Sequence, residues 1–167
     1  MKPANKNSSG EAHPSEVIYQ VYPSSFNDSN ADGLGDIPGI TKKLDYIKSL
    51  GVDAIWISPF YLSPPGPEGD GGYAVTDYRS IDPRFGTMDD FKALLKEAHA
   101  RGLRVYTDWV VAHTALDHEW FEKSRKKDGT YKDYYVRADT AQWEGRRAAP
   151  NTCKSVFGGD AWTYDAT

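Results

Sequence analysis

The chain has 167 residues, of which 39% are hydrophobic and 26% are charged, a composition that suits one ordinary globular domain. Its formal net charge of -4 supplies no basic patch, so the composition argues against a nucleic-acid partner. No apolar run approaches the roughly 20 residues that cross a membrane, so no membrane partner is expected either.

The first residues and the cysteine content bear on where the protein works. Residues 1–15 are polar and lack the apolar stretch of a secretory signal peptide. We therefore expect residues 1–15 to be a disordered lead-in and the protein to be cytoplasmic. The single cysteine, Cys153, excludes an internal disulfide.

Three apolar runs predict strands, and they are rich in β-branched and aromatic residues: Val17–Tyr22, Ala54–Ile57 and Leu103–Trp109. Between the first two runs, apolar residues recur at helical spacing and a glycine follows as a stop signal: Ile40, Leu44, Ile47, Leu50 and Gly51. Residues 60–86 are rich in Gly, Pro and Tyr and predict a long loop, which at that length is typical of a functional or a disordered segment.

A second helix is predicted between this loop and the third strand. Thr87 suits its N-cap, and Gly102 suits its end. Its apolar stripe consists of Met88, Phe91, Leu94, Leu95 and Ala98. The order β-α-β-α-β with nearly continuous apolar strands predicts an α/β fold, in which helices cover at least one face of a parallel sheet.

Polar side chains follow the end of the third predicted strand, in the stretch LRVYTDWVVAHT. Asp108 and His113 lie at this exit, and in a β/α barrel the carboxyl ends of the strands carry the active site. A histidine there can donate a hydrogen bond to a substrate hydroxyl, and an aspartate can anchor the loop that carries it. The alternative is a polar strand end that is simply solvated. His99 and His118 are interpreted as structural hydrogen-bonding residues.

A second polar stretch, DSNADGLGD, places oxygen ligands at alternate positions around a glycine turn. Calcium prefers six to eight oxygen ligands, and the spacing follows the first nine positions of an EF-hand loop. The predicted ligands are Asp28, Asn30, Asp32, Leu34 through its carbonyl, and Asp36. Gly39 stands where the bidentate Glu of an EF-hand would be, and a strand precedes the loop. The alternative is a cluster of Asx-turns without metal.

The stretch GGYAVTDY follows the second strand. Tyr73, next to two glycines, can present its ring to a ligand, or it can pack against the rim of the sheet. Asp77 can hold the loop by accepting hydrogen bonds from backbone amides, or it can be solvated.

Taken together, these motifs closely resemble the start of the α-amylase superfamily, glycoside hydrolase family 13. The resemblance is carried by VIYQVYPSSFNDSNADGLGDIPGI, LDYIKSLGVDAIWISPFYLSP, GGYAVTDYRSIDPRFGTMDDFKALLKEAHARGLRV and DWVVAHTALDHEWF. The ending, KDYYV and SVFGGDAWTYD, is similar to the inserted B domain of the α-glucosidase and oligo-1,6-glucosidase branch. The resemblance implies the first three β/α units of a (β/α)8 TIM barrel over 16–113 and the start of an irregular B domain over 114–167.

The resemblance also implies a function: retaining hydrolysis or transfer of α-linked glucosyl units. It implies that Tyr73 stacks on the sugar in subsite −1, that His113 hydrogen-bonds this sugar, and that Asp108 and Asp77 support the site. The nucleophile and the acid/base carboxylate of the family lie on later strands, so no residue of this chain is predicted to be catalytic. Calcium is the expected cofactor, bound by the loop of Asp28 to Asp36.

Three positions depart from the family pattern. Ala74 replaces an Asp, Ala112 replaces an Asn, and Pro150–Cys153 reads PNTC in place of the usual B-domain start. Three hypotheses follow. The first is an N-terminal fragment of an α-glucosidase-like hydrolase, inactive alone, that acts on α-glucosidic oligosaccharides. The second is a non-catalytic carbohydrate-binding or protein-interaction module. The third is a partial-barrel scaffold or a truncation product with no function of its own. A truncated barrel also predicts self-association through its exposed edge.

Overall fold

The computed structural model describes residues 5–6, 12–13, 15–138, 150–156 and 158–165. The chain divides into two compact units, Met1–Leu116 and Asp117–Thr167. In chain order the strands are β1 (Asn5–Lys6), β2 (Ala12–His13), β3 (Ile18–Val21), β4 (Ala54–Ile57), β5 (Tyr61–Leu62), β6 (Asp77–Ile81) and β7 (Arg104–Thr107). The helices are α1 (Pro23–Phe26), α2 (Ile37–Lys42), α3 (Leu44–Ser49), α4 (Met88–Ala100) and α5 (Glu119–Arg125), with 3₁₀ helices at Gly66–Gly72 and Gly129–Asp133.

The lead-in is described only in part. β1 and β2 pair as two antiparallel strands. The rest of residues 1–14 lies outside the described residues, so the disordered lead-in stays a prediction. Parts of the expected B-domain start, residues 139–149 and 157, lie outside them as well, and the two domain assignments also stay predictions.

The centre of the first unit is a parallel sheet in the order β3-β4-β7. Its register aligns Tyr19 with Ile55 and Ile55 with Val105. All three predicted strands are therefore present, each within one or two residues of its expected ends. The parallel sheet that the apolar runs predicted is confirmed.

Helices cover one face of this sheet. Val21, Ile55 and Ile57 on that face join the buried core, together with helical residues that include Ile40, Leu44, Ile47, Leu94 and Ala98. Alternate strand residues point to the other face, where Ile18 is 47% exposed and Tyr106 is 39% exposed. The sheet therefore has one packed face and one open face, because successive side chains of a strand point to opposite sides.

The first predicted helix is in fact two short helices. α2 ends at Lys42 and α3 begins at Leu44, and Lys43 between them leaves the helical conformation with φ −105° and ψ 6°. Leu50 was assigned to the apolar stripe, but this assignment is wrong: it follows the end of α3 and its side chain is 47% exposed.

The second predicted helix, α4, begins and ends as expected. The Thr87 side chain accepts a hydrogen bond from the Asp90 amide, and the Asp90 side chain accepts one from the Thr87 amide, which completes a capping box. Gly102, with φ 65°, follows the helix in the left-handed conformation that favours glycine. Leu94 and Ala98 are buried, but Met88 is 44% exposed because it lies in the first turn at the edge of the core.

The segment 60–86 is not the continuous loop that its composition predicted. β5 and β6 within it pair antiparallel, with Tyr61 opposite Ile81. At the end of this ribbon, Asp82 is almost fully buried and forms an ion pair with Arg84 at 2.6 Å. Burial alone would raise the pKa of Asp82, but hydrogen bonds from Arg84 and its positive charge hold that pKa below its ordinary value.

The second unit contains α5 and the 3₁₀ helix Gly129–Asp133. The buried His118 caps α5, because its Nδ1 accepts a hydrogen bond from the Trp120 amide at 3.0 Å. The structural role predicted for His118 is thus confirmed. In the described part of the chain, no helix is both long enough and apolar enough to cross a membrane.

Candidate functional site

The carboxyl end of the parallel sheet brings together the polar residues that the sequence separates. Asp108 directly follows β7, and its amide donates a hydrogen bond to the Ile57 carbonyl of β4 at 3.2 Å. Tyr73 lies in the connection after β4, and its hydroxyl donates to Oδ2 of Asp108 at 2.9 Å. One hydrogen bond, from the Tyr73 hydroxyl to the Asp108 carboxylate, thereby joins the segments that follow β4 and β7.

The protonation of Tyr73 follows from its surroundings. Burial, the hydrogen bond to Asp108 and a further hydrogen bond with Tyr22 raise the pKa of Tyr73 far above its ordinary value. The phenol therefore stays protonated throughout the physiological range. A protonated phenol is the form that donates to the Asp108 carboxylate.

His113 is the third predicted site residue, and it contacts the same tyrosine. Its Nε2 lies 3.0 Å from the carbonyl oxygen of Tyr73. A carbonyl oxygen only accepts hydrogen bonds, so this contact requires a proton on Nε2. The His113 side chain is otherwise exposed, which leaves the rest of its ring accessible to a ligand. Tyr73, Asp108 and His113 thus form one cluster.

Asp77, a further predicted site residue, has hydrogen-bond partners in its own strand. Asp77 lies at the start of β6 and accepts hydrogen bonds from the Arg79 amide at 2.8 Å and from the Ser80 hydroxyl at 2.5 Å. Asp77 therefore accepts a backbone hydrogen bond, as one of its two interpretations expected, and its supporting role in the site stays a prediction. Ala112 is exposed, and Ala74 is half-buried.

Sequence reasoning missed three tyrosines that complete this region. Tyr22 hydrogen-bonds the side chain of Tyr73. The Tyr61 hydroxyl donates to the Asp108 carbonyl at 2.8 Å, and the Tyr78 hydroxyl contacts the His113 carbonyl at 3.0 Å. For Tyr61 and Tyr78 the available signal was the high tyrosine content of the stretch between β4 and α4, but nothing local to that stretch indicates which backbone carbonyls their hydroxyls reach.

The predicted calcium loop, residues 28–36, is held by its own backbone. Oδ1 of Asp28 accepts hydrogen bonds from the amides of Asn30 and Ala31, and its Oδ2 accepts one from Gly33 at 2.8 Å. The Gly33 amide is the chief reason that the pKa of Asp28 lies below its ordinary value. Asp28 is therefore a carboxylate at neutral pH, and Gly33 turns the chain with φ 92°.

The other acidic residues of this loop are also engaged. Oδ1 of Asp32 accepts from the Leu34 amide at 2.8 Å. Asp36 is buried and caps α2, with Oδ1 bonded to the Gly39 amide at 2.6 Å and Oδ2 to the Ser29 hydroxyl at 2.9 Å. Among the residues that the structure describes, no group of three or more His, Cys, Asp or Glu side chains is arranged to hold a metal ion.

The donor set of the loop nevertheless has the chemistry of a calcium site. All the side-chain atoms that it offers as metal ligands are oxygens of Asp and Asn, which suit a hard cation. The side chains adopt the arrangement of Asx-turns, so binding requires their oxygens to turn toward a common centre.

The chain is similar to known proteins in both sequence and structure. Oligo-1,6-glucosidase from Heyndrickxia coagulans is 52% identical over 152 residues, which is 90% of this chain and 26% of that protein. The crystal structure of XgtA, an α-glucosyl transfer enzyme, superimposes with a TM-score of 0.82 at 51% identity, over 89% of this chain and 27% of that one. A MutB mutant in complex with the substrate sucrose gives a TM-score of 0.79 at 49% identity, over 90% of this chain and 26% of that one.

The chain thus spans about a quarter of the length of the relatives it matches. The family model described as the catalytic domain of α-amylase matches residues 20–167. This match covers the cluster of Tyr73, Asp108 and His113 and all of the parallel sheet except Ile18 and Tyr19 of β3. The chain therefore belongs to the α-amylase family.

Proposed function

We propose that this chain forms part of the sugar-binding wall of an α-glucosidase-like retaining glycoside hydrolase. In this proposal Tyr73 stacks on a glucosyl ring, His113 hydrogen-bonds one of its hydroxyls, and Asp108 orients Tyr73. The observation that carries the proposal is the joining of these three residues at the carboxyl end of the parallel sheet. The substrates are proposed to be α-glucosidic oligosaccharides.

We further propose that the chain does not cleave glycosides by itself. A retaining glycosidase needs a nucleophilic carboxylate and an acid/base carboxylate about 5–5.5 Å apart. Asp108 is engaged by Tyr73, and the acidic residues of loop 28–36 accept hydrogen bonds from the backbone of their own loop. The support for the proposal is that these carboxylates are held by hydrogen bonds within the protein.

Hydrolysis of an aryl α-glucoside tests this proposal. We expect no release of the phenol above the buffer rate from the purified chain at any enzyme concentration. Release that is proportional to protein concentration, and that disappears in Asp108→Asn, would refute the proposed inactivity. A host-enzyme contaminant is identified by activity that survives in Asp108→Asn and His113→Ala alike.

A non-catalytic carbohydrate-binding or protein-interaction module is the second candidate. Ala74 and Ala112 favour it, because two polar positions of the family pattern carry methyl groups here. The coding sequence downstream of Thr167 discriminates the two candidates. Later strands that carry the family's carboxylates favour the enzyme, and later strands that lack them favour the module.

We propose calcium as a ligand of the loop formed by residues 28–36. The support is its set of oxygen donors and the ionised Asp28. Bound calcium stabilises the native state by mass action, so the Tm should rise as calcium is titrated to millimolar concentration. Asp28→Asn should weaken this rise, whereas Asp89→Asn, a control at an exposed position of α4, should not. A Tm of the parent chain that does not change with calcium would contradict this proposal.

We also propose that the chain self-associates through its parallel sheet. β3 and β7 form the edges of this sheet, and the open face carries the exposed Ile18 and Tyr106. Unpaired strand edges and exposed apolar faces favour pairing with another chain.

A further inference from the structure

The ribbon of β5 and β6 lies beside the segment that carries Asp108 and His113. Tyr61 on β5 and Tyr78 on β6 pack their rings together, with centroids 5.8 Å apart. Both side chains are half-buried, and both turn their hydroxyls to the backbone that follows β7. The ribbon therefore presents two donors to a stretch of chain that has no helix or strand of its own between Thr107 and Glu119.

The two hydroxyls reach three carbonyls of that stretch. Tyr61 donates to the Asp108 carbonyl at 2.8 Å. Tyr78 contacts the Val110 carbonyl and also the His113 carbonyl, the latter at 3.0 Å. A tyrosine hydroxyl carries one proton and a carbonyl can only accept, so Tyr78 shares its proton between two carbonyls and draws them toward one point.

The hydrogen bonds of the Tyr78 hydroxyl hold the backbone of His113, and this constrains the position of the His113 ring. The backbone of His113 is bonded to Tyr78, while its imidazole Nε2 is bonded to the Tyr73 carbonyl. The upstream end of the segment is fixed by the bond from the Asp108 amide to Ile57. A phenylalanine in place of Tyr78 would keep the ring packing but release the turn between Val110 and His113.

We propose that Tyr78, assisted by Tyr61, is a positioning residue that sets the orientation of the His113 imidazole. Its place in the site rests on the proposed function, since His113 is there the residue that contacts the sugar. The geometric part of the proposal, from Tyr78 through the backbone to the His113 ring, holds independently of any sugar.

The test is the imidazole NMR spectrum of the chain labelled with ¹⁵N-histidine, with the His113 signals assigned from His113→Gln. In the parent chain we expect neutral His113 to show a protonated Nε2. In Tyr78→Phe we expect the two nitrogen shifts to move from the values of a fixed Nε2–H tautomer toward the averaged values of a free imidazole. Tyr61→Phe should cause a smaller change, and Tyr46→Phe, an exposed tyrosine on α3, should cause none.

A folded Tyr78→Phe chain whose His113 shifts match those of the parent overturns the proposal, because a tyrosine that only packs would give that result. If Tyr78→Phe does not fold, the parent chain supplies the test. The carbonyl ¹³C signals of Val110 and His113 should shift when the Tyr78 hydroxyl is deuterated, and unchanged signals overturn the proposal.

Addition of glucose to the same samples separates this proposal from the proposed function. If glucose leaves His113 unchanged but Tyr78→Phe alters it, the sugar-binding role fails and the positioning role stands. If glucose shifts His113 equally in the parent and in Tyr78→Phe, with the two free spectra identical, the positioning role fails and the sugar-binding role stands.

Discussion

Tyr73 is the residue that connects most of the candidate site. Its hydroxyl donates to Asp108, its carbonyl contacts His113, and its side chain hydrogen-bonds Tyr22. It therefore links the ends of β3 and β7 to the connection after β4. A substitution at this single position acts on both the geometry of the site and the stability of the first unit.

Tyr73→Phe removes the hydroxyl and keeps the ring. We expect the free energy of unfolding to fall by about 1–2 kcal/mol, since a hydrogen bond to a charged group contributes about 1.5–3 kcal/mol and this site is only partly buried. Urea denaturation measures the change, with Tyr46→Phe as the matched control. Equal stability of Tyr73→Phe and the parent would show that this hydrogen bond contributes nothing in solution.

The ionisation of Tyr73 predicts a dependence of stability on pH. Its pKa is raised in the folded chain, chiefly by burial and then by Asp108, from an unfolded value of 10.0. The folded state therefore holds the proton more tightly, and the stabilisation is fully present below pH 10 and decreases as the pH rises further. Asp108→Asn should lower the pKa of Tyr73. An absorbance titration in which all tyrosines ionise alike would contradict this.

At this scale the sequence predicted Asp108 and His113 together at the end of the third strand, because both follow the same apolar run. Their link to Tyr73 was predicted only by the resemblance to the α-amylase superfamily. The sequence did not predict the contacts of Tyr61 and Tyr78. These depend on hydroxyls that reach backbone carbonyls more than thirty positions away, 47 in the case of Tyr61 and Asp108. Side-chain pattern alone carries no information about such an acceptor.

The secondary-structure elements follow their local signals unevenly. α4 has a capping box, an acidic first turn and a terminal glycine, and its limits were predicted correctly. The helix after β3 was expected to be continuous but breaks at Lys43, where no Gly or Pro marks the break. β5 and β6 were missed because their pairing joins Tyr61 to Ile81 across an irregular segment.

Thr87→Ala tests the cap of α4. The substitution removes one half of the capping box, and we expect it to cost about 1 kcal/mol of stability. Thr87→Ser, which keeps the hydroxyl, should retain most of that stability. Urea denaturation of the two variants in parallel measures the difference, and equal losses in both would rule out the hydrogen bond as the cause.

At the scale of the whole molecule, the feature that matters most is the difference between the two faces of the parallel sheet. One face is covered by helices, whereas the other exposes Ile18 and Tyr106 beside the half-buried Trp56. The apolar strands alone did not indicate this, because an apolar strand residue gives no sign of whether a partner layer is present. The resemblance to the first three units of a barrel did predict an uncovered inner face.

We expect the purified chain to be larger than a monomer in sedimentation velocity and its average mass to rise with concentration. Ile18→Lys together with Tyr106→Lys should shift the population toward the monomer by placing charge on the open face. Tyr46→Lys, on α3, serves as the control. A single species of monomer mass at every concentration would contradict the proposed self-association.

Binding of glucose at Tyr73 and His113 tests the central claim most directly. The measurement is an NMR titration of the chain labelled at histidine and tyrosine, with glucose raised to saturation and sorbitol at equal concentration as the control. We expect saturable shifts of the His113 imidazole and the Tyr73 ring with glucose, none with sorbitol, and none at His99. Glucose shifts that are absent, or that appear at His99 while Tyr73 and His113 stay unchanged, would contradict that claim.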